Sequence, residues 1–153
     1  MLPDGVRIER ASLKEIPALA RLLGDLFRIE RDFTPDPARQ NEGLRRLIAR
    51  EHDAAIFVAR DSNARVLGMV TAQIVVSTAE GAPSAWIEDV VVEAQSRRRG
   101  VGRALLGAVL AWARHAGATR AQLLVDTGNR EAEAFYAKLG WQPTQLGARR
   151  YPL

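Results

Sequence analysis

The order of local patterns along the chain predicts an α/β (α+β) fold built around a mixed sheet. Short apolar segments typical of strands alternate with longer segments in which apolar residues recur every three or four positions, as in helices. The predicted order is β-α-α-β-β-β-α-β-α-β-β, with no internal repeat and no linker. A chain of 153 residues is long enough to bury a real core. We therefore predict a single domain over residues 1–153.

The first half of the chain predicts a strand, two helices and a hairpin. The segment VRIERAS alternates apolar and charged residues, which is typical of a strand. Ser12 and Glu15 have the spacing of a capping box, so a helix should follow and run to about Glu30. Asp36 followed by Pro37 predicts the start of a second helix. The apolar runs AAIFVAR and RVLGMVTAQIVVS, joined by the turn DSNA, predict a β-hairpin.

The second half predicts the remaining strands and helices. After a loop TAEGAPS, the segment AWIEDVVVE lacks clean alternation and predicts a central strand. A helix should run from Gly100 to about Ala116, and another from Asn129 to about Leu139, with the strand AQLLVDT between them. The last segment, WQPTQLGARRYPL, predicts one or two short edge strands. The expected sheet therefore has six to seven mostly antiparallel strands, flanked by about four helices.

Composition excludes several classes of site. The chain is 47% hydrophobic and 26% charged, as is usual for a globular protein, and it contains no cysteine. Its two histidines, His52 and His115, are far apart in sequence, so we predict no metal site. No signal-peptide pattern and no long apolar run occurs, so we expect a cytoplasmic protein without a membrane partner. The net charge of +4 comes from scattered arginines, and we predict no nucleic-acid partner.

One basic cluster lies where a strand meets a helix, in the stretch RRRGVG at residues 97–102. The first N–H groups of a helix have no partner within the helix and favour an anion, while glycine lets the ligand approach the backbone. The turn therefore suits a pyrophosphate. It matches neither a Walker A loop nor a dinucleotide fingerprint. The alternative is a solvated turn with two helix-entry glycines.

Two motifs identify a resemblance to a known family. The stretch WIEDVVVEAQSRRRGVGRALL resembles the signature of the GNAT superfamily of acetyl-CoA-dependent N-acetyltransferases, whose phosphate loop reads Gln/Arg-x-x-Gly-x-Gly/Ala. Downstream, NREAEAFYAKLGW is similar to the second motif of the family. The order of elements also resembles the family fold, so the resemblance covers essentially the whole chain. It implies a GNAT-like domain whose central strands splay apart near a bulge beside Val90, Val91 and Val92, with acetyl-CoA as cofactor.

The resemblance implies a set of cofactor contacts. The strand Val90, Val91 and Val92 would hold the pantetheine arm like an added strand. Asn129 would hydrogen-bond in the cofactor or acceptor region, and Tyr136 would point at the thioester sulfur. The residues around the pyrophosphate would be Arg97, Arg98, Arg99, Gly100, Val101, Gly102 and Arg103.

The implied chemistry is direct attack of an amine on the thioester, without a covalent intermediate. The N–H of Val90 would stabilise the developing oxyanion, and Tyr136 would protonate the leaving thiolate. Glu88 is our candidate for the base, with Asp89 or a relayed water as alternatives. Strand alternation predicts that Glu88 and Asp89 point to opposite faces. Tyr136 alone, without the two motifs, would be read as core packing.

Two sets of residues predict different acceptors. Phe27, Glu30 and Phe33 combine aromatic and carboxylate groups, which suits a cationic amine. Arg149 and Arg150 would instead suit an acidic or phosphorylated acceptor.

The sequence thus predicts an acyltransferase that uses acetyl-CoA and a primary amine of a small molecule or peptide. The alternatives are a non-catalytic acyl-CoA-binding or regulatory domain, and a transferase that uses another acyl-CoA. A homodimer is an expectation by analogy with the family.

Overall fold

The structure is a computed structural model and describes residues 2–153. It contains five strands, four α-helices and two short 3-10 helices within these residues. The strands are β1 (Arg7–Arg10), β2 (Ala54–Arg60), β3 (Val66–Ser77), β4 (Ala82–Val92) and β5 (Arg120–Leu123). The α-helices are α1 (Ile16–Ile29), α2 (Pro37–Ala49), α3 (Val101–His115) and α4 (Arg130–Lys138). Contacts divide the chain into two compact units, one ending at Gln122 and the other comprising Leu123–Leu153.

The five strands form one mixed sheet in the order β1-β2-β3-β4-β5. The pairs β1/β2, β2/β3 and β3/β4 are antiparallel, and helix α3 connects β4 to β5. The predicted class and the predicted hairpin between β2 and β3 are therefore confirmed. The predicted loop TAEGAPS is shorter than expected, because β3 extends to Ser77 and β4 begins at Ala82.

The prediction of six to seven strands is wrong, and the error lies in the last segment. None of the described residues 141–153 belongs to a strand. Pro143 and Pro152 have no N–H to donate, and Gly147 lacks a side chain that could pack on a sheet. The segment leaves large apolar side chains in solvent, since Leu146 is 81% and Tyr151 is 85% exposed. Its apolar residues therefore do not contribute to the core.

The helices of the first unit cover both faces of the sheet. Met69 of β3 and Val91 of β4 are buried in one cluster with residues of α1 and α2. The neighbouring residue, Gly68, faces the opposite side, where Leu105 of α3 approaches it. Helices α1 and α2 therefore pack on one face of the sheet, and α3 packs on the other. The cluster under α1 and α2 consists of Ile16, Leu19, Ala20, Leu22, Leu23, Leu44, Ile56, Val58, Val66, Met69 and Val91.

Both predicted helix starts are confirmed. The N–H of Ser12 donates to the carboxylate of Glu15 at 2.7 Å, and the two residues form a capping box ahead of α1. Glu15 also pairs with Arg60 at the end of β2, and Arg60 pairs with Glu9 of β1. One carboxylate thus serves both the start of the first helix and the edge of the sheet. Asp36 caps α2 by accepting a hydrogen bond from a backbone N–H at 3.2 Å.

Gly68 marks the closest approach between the sheet and helix α3. A Cβ at this position would lie 2.8 Å from the carbonyl oxygen of Val91 and 3.2 Å from a methyl group of Leu105. The first distance is shorter than any ordinary packing contact, so β3, β4 or α3 would have to move. Only a residue without a Cβ fits here without displacing backbone.

We expect Gly68→Ala to lower the free energy of unfolding by about 1–3 kcal/mol, because the added methyl group overpacks a buried site. Gly43→Ala is the matched control, since Gly43 is exposed in α2 and nothing lies within 4 Å of the added Cβ. This control should instead stabilise the protein by about 0.5–1 kcal/mol. Urea denaturation of both variants measures whether each free energy of unfolding is lower or higher than that of wild type. Equal stability of Gly68→Ala and wild type would contradict the close approach.

Candidate active site

The register between β3 and β4 slips by one residue in the middle of the sheet. Val70 pairs with Val90, whereas Ala72, two residues later, pairs with Ile87, three residues earlier. Strand β4 therefore carries one residue more than β3 over the same distance. Such an extra residue is a β-bulge, which bends the strand and re-aims the groups that follow it.

Thr71 stands opposite the two bulge residues, Glu88 and Asp89, and its side chain bonds to the second of them. The Thr71 hydroxyl donates to the Asp89 carboxylate at 2.8 Å and accepts from the Asp89 N–H at 3.1 Å. Thr71 is only 1% exposed. A buried N–H without an acceptor costs about 1–3 kcal/mol, so the hydroxyl supplies the acceptor that the bulge removes from the backbone ladder.

The two carboxylates lie on the same face of the sheet, and the expected opposite orientation is wrong. Asp89 bonds to Thr71, which follows the α1-facing Met69 by two positions. Glu88 accepts from the indole N–H of Trp86 at 3.0 Å, and the pairing partner of Trp86 is two residues beyond Thr71 on β3. The extra residue of the bulge breaks the alternation on which the expectation rested.

The two carboxylates differ in environment. Glu88 is exposed, while Asp89 is half-buried. Burial raises the pKa of Asp89 from its usual 3.8 to about 6, the bond from Thr71 opposes this shift, and the charge of Glu88 adds to it. Glu88, the residue that the sequence analysis predicts as the base, is the more exposed of the two carboxylates.

The amide direction along the end of β4 follows from a backbone hydrogen bond at Glu93. Its N–H donates to the carbonyl of Leu67 at 2.9 Å, so it faces β3. Amide direction alternates along a strand, so Val91 also faces β3, while Val90 and Val92 direct their N–H and C=O groups away from it. The carbonyl of Val92 accepts from the Arg97 side chain at 2.9 Å, in agreement with this direction.

The basic glycine turn lies directly between the end of β4 and the start of α3. Gly100 is the N-cap of α3 with φ of 82°, and Arg98 also has a positive φ of 59°. A positive φ is costly for any residue with a Cβ, and both of these residues lie just ahead of the first N–H groups of α3. The side chains of Arg97, Arg98, Arg99 and Arg103 are exposed around it.

Glu93 organises the same turn and was missed by the sequence analysis. Its carboxylate accepts from the Ser96 hydroxyl at 2.7 Å and pairs with Arg65 at 2.5 Å. These bonds tie the turn to the start of β3. Arg65, Ser96 and Arg99 also line a cavity of about 150 Å³ beside the turn. The signal in the sequence was the acidic residue immediately after an apolar strand and before three arginines.

The predicted site residues of the second motif belong to the unit Leu123–Leu153. Asn129 caps α4, where its side-chain oxygen accepts from the N–H of Ala132 at 3.0 Å. The ring of Tyr136 contacts those of Phe135 and Trp141, with centroids 5.2 Å and 6.0 Å apart. Their predicted cofactor and catalytic roles remain predictions.

The predicted acceptor residues lie around the connection between α1 and α2. The centroids of the Phe27 and Phe33 rings are 5.4 Å apart, and Glu30 is the C-cap residue just after α1. At the other end of the chain, Arg149 and Arg150 are exposed in the segment without regular structure. Among residues 2–153, no helix combines the length and apolar character needed to cross a membrane.

Comparisons with known proteins agree with this fold. Residues 17–141 match the model of the acetyltransferase (GNAT) family. The chain is 35% identical over 112 residues to mycothiol acetyltransferase of Clavibacter michiganensis subsp. michiganensis, covering 71% of this chain but only 32% of that protein. It is 29% identical over 148 residues to aminoglycoside N(6')-acetyltransferase type 1 of Stenotrophomonas maltophilia, covering 95% of this chain and 92% of that protein.

A solved structure shows the same fold. An aminoglycoside acetyltransferase from an uncultured soil metagenomic sample, crystallised with sisomicin, superposes with a TM-score of 0.78 at 23% identity, covering 98% of this chain and 97% of that one. The family model and the named relatives identify the protein as an acyltransferase. The chain belongs to the acetyltransferase (GNAT) family, which confirms the resemblance seen in the two motifs.

We expect Asp89→Asn to stabilise the protein at neutral pH and not at acidic pH. The folded state holds the Asp89 proton up to a pKa of about 6, against 3.8 for a free carboxyl. Rising pH therefore destabilises the folded state between about pH 4 and pH 6, by up to about 3 kcal/mol. Asparagine has no charge to desolvate and can still accept from Thr71. The advantage of the variant over wild type, measured by urea denaturation, should grow across this window, and an advantage independent of pH would contradict the assignment.

We expect Gly100→Ala to lower the free energy of unfolding by about 1–2 kcal/mol, because alanine is strained at the positive φ of this N-cap. Gly107→Ala is the matched control in the same helix, where the added Cβ meets nothing within 4 Å. The control should be neutral or stabilising. Thermal and chemical denaturation measure the difference in stability between the two variants. A Gly100→Ala protein as stable as wild type would contradict the described turn.

Proposed function

We propose that the protein is an N-acetyltransferase that transfers an acetyl group from acetyl-CoA to a primary amine of a small molecule or peptide. The single observation that carries the proposal is that the outward amides of Val90 and Val92 and the basic turn at Gly100 follow one another within one unit of the structure. We propose that the cofactor lies along them.

The proposed cofactor position follows from complementary chemistry. The pyrophosphate is dianionic, and the start of α3 offers amide N–H groups, a positive helix dipole and exposed arginines. The pantetheine arm carries amide groups that can pair with an outward strand edge. The outward N–H and C=O groups of Val90 and Val92 offer such an edge. When bound, acetyl-CoA supplies the activated acetyl group.

The residues of β4 support the proposed chemistry. The N–H of Val90 would donate to the thioester oxygen as negative charge develops there, an effect worth about 3 kcal/mol in comparable oxyanion holes. Glu88, exposed and oriented by Trp86, would accept a proton from the attacking amine directly or through water. Tyr136 would donate a proton to the departing thiolate, which leaves CoA and the N-acetylated product.

We infer that the acceptor is a cationic amine. Glu88 offers a carboxylate beside the indole of Trp86, and a carboxylate with an aromatic neighbour suits an ammonium group. The paired rings of Phe27 and Phe33, with Glu30 between them in sequence, have the same character. The relative from Stenotrophomonas maltophilia is an aminoglycoside acetyltransferase, and aminoglycosides carry several amines. These observations favour the amine over an acidic acceptor.

We expect Tyr136→Phe to lower kcat by about 10²–10⁴-fold, because phenylalanine lacks the hydroxyl group that would protonate the thiolate. Tyr151→Phe is the matched control, since Tyr151 is the other tyrosine and is 85% exposed. Release of free CoA from acetyl-CoA across a panel of aminoglycosides, polyamines and peptides measures turnover. Affinity for CoA, measured by calorimetry, should change little in either variant.

The same measurements separate the alternatives. Wild-type protein that binds acetyl-CoA but acetylates no amine would be an acyl-CoA-binding domain rather than an enzyme. Folded protein that shows no saturable binding of CoA would refute the proposed function altogether. Equal kcat for Tyr136→Phe and wild type would remove the tyrosine from the mechanism and leave the cofactor path intact.

A further inference from the structure

The bulge changes which amides of β4 face away from β3. Before it, Pro83 faces outward, because its carbonyl accepts from the N–H of Thr119, next to β5, at 3.0 Å. After it, Glu93 faces β3, so the outward residues are Val90 and Val92. Odd-numbered residues are thus outward before the bulge, and even-numbered residues are outward after it. Without the extra residue, the N–H of Val90 would point into the β3 ladder.

A side chain of β3 holds the extra residue in place. Within a regular ladder each inward N–H meets a carbonyl of the neighbouring strand, but at the bulge two residues of β4 share one partner position. The Thr71 hydroxyl accepts from the N–H of Asp89 and donates to the carboxylate of the same residue. Thr71 is buried, so water does not replace these bonds. Both halves of the contact come from one hydroxyl group.

We infer that the Thr71 hydroxyl and Asp89 form a clamp that holds the β4 bulge and thereby orients the N–H of Val90 toward the reacting thioester. Thr71 is a positioning residue, because it acts through the backbone of β4 and touches neither the donor nor the acceptor. The inference rests on the proposed function for its kinetic consequence. Its structural part, the orientation of the Val90 amide, stands independently of catalysis.

The variants Thr71→Val and Thr71→Ser separate the effect of the hydroxyl from the effect of the side-chain shape. Thr71→Val keeps the volume and removes the hydroxyl, which leaves the Asp89 N–H and carboxylate without this partner. Thr71→Ser keeps the hydroxyl and removes one methyl group. Val58→Ala is the control for general destabilisation. Val58 is a fully buried core residue of β2, and no described hydrogen bond joins it to Thr71 or Asp89.

The kinetic arm measures kcat, KM and CoA affinity in the full-length protein. We expect Thr71→Val to lower kcat by about 10–100-fold. This is less than the roughly 10²–10³-fold lost when an oxyanion donor is removed, because the Val90 N–H is displaced rather than deleted. Its affinity for CoA should stay within about twofold of wild type, because the helix N-terminus that binds the pyrophosphate is unchanged. Thr71→Ser should restore most of kcat, and Val58→Ala should keep kcat at assay temperatures where it remains folded.

The structural arm uses backbone NMR of the protein without substrate. In Thr71→Val the amide resonances of Asp89 and Val90 should shift or broaden, and their hydrogen exchange should accelerate, while Thr71→Ser should resemble wild type. If Thr71→Val leaves both resonances unchanged, the clamp is refuted whatever the kinetics show. If wild type acetylates no amine, the proposed function fails, and these resonances still decide whether the clamp exists.

Asp89 distinguishes positioning from proton transfer. Asparagine can still accept from the Thr71 hydroxyl, so Asp89→Asn should keep most of kcat. Asp89→Ala loses the carboxylate bond but keeps the N–H bond to Thr71, so its loss of kcat should be smaller than that of Thr71→Val. A large loss in Asp89→Asn combined with normal turnover in Thr71→Val would make Asp89 the base and overturn the positioning role. The four variants together assign the clamp without relying on any one of them folding normally.

Discussion

The one-residue mismatch between β3 and β4 is the constraint on which the site depends. An antiparallel ladder admits an extra residue only if the displaced polar groups find other partners, and Thr71 provides them. Three features follow from that one insertion. The carboxylates of Glu88 and Asp89 come to one face, the amide of Val90 turns outward, and the strand ends with Val92 also directed outward beside the turn. A strand of ordinary register would separate these groups.

The basic turn between β4 and α3 is held by bonds to residues outside the arginine cluster. Four arginines near a helix N-terminus repel one another, and their side chains remain exposed. The backbone between them is fixed by groups outside the arginine cluster. Arg97 is tied to the end of β4, and Glu93 bonds both Ser96 and Arg65. These bonds fix the backbone of the turn, so the protein has less conformational entropy to lose when a ligand binds there.

Much of the fold could be predicted because its elements are encoded locally. Caps at Ser12 and Asp36, apolar periodicity in α1 and α3, and the turn between β2 and β3 all lie within a few residues of the elements they define. The motifs also pointed to the basic turn and, through the family resemblance, to a bulge near the end of β4. The apolar pattern itself does not show the bulge, since Val90, Val91 and Val92 are apolar on both faces of the strand and hide the change of alternation. The polar threonine inside the run MVTAQ is a sign of it in the sequence.

The strand prediction for the last segment is wrong for a different reason. Its residues are apolar enough for a strand, but Pro143 and Pro152 have no N–H to complete a ladder.

Elsewhere, one side chain joins elements that lie far apart in sequence. Glu15 is at once the capping partner of α1 and the counterion of Arg60 on β2. Fraying of the helix start therefore releases the sheet edge as well. The N-terminal strand and the first helix should behave as one cooperative opening unit in native-state exchange, with a shared protection that neither would have alone.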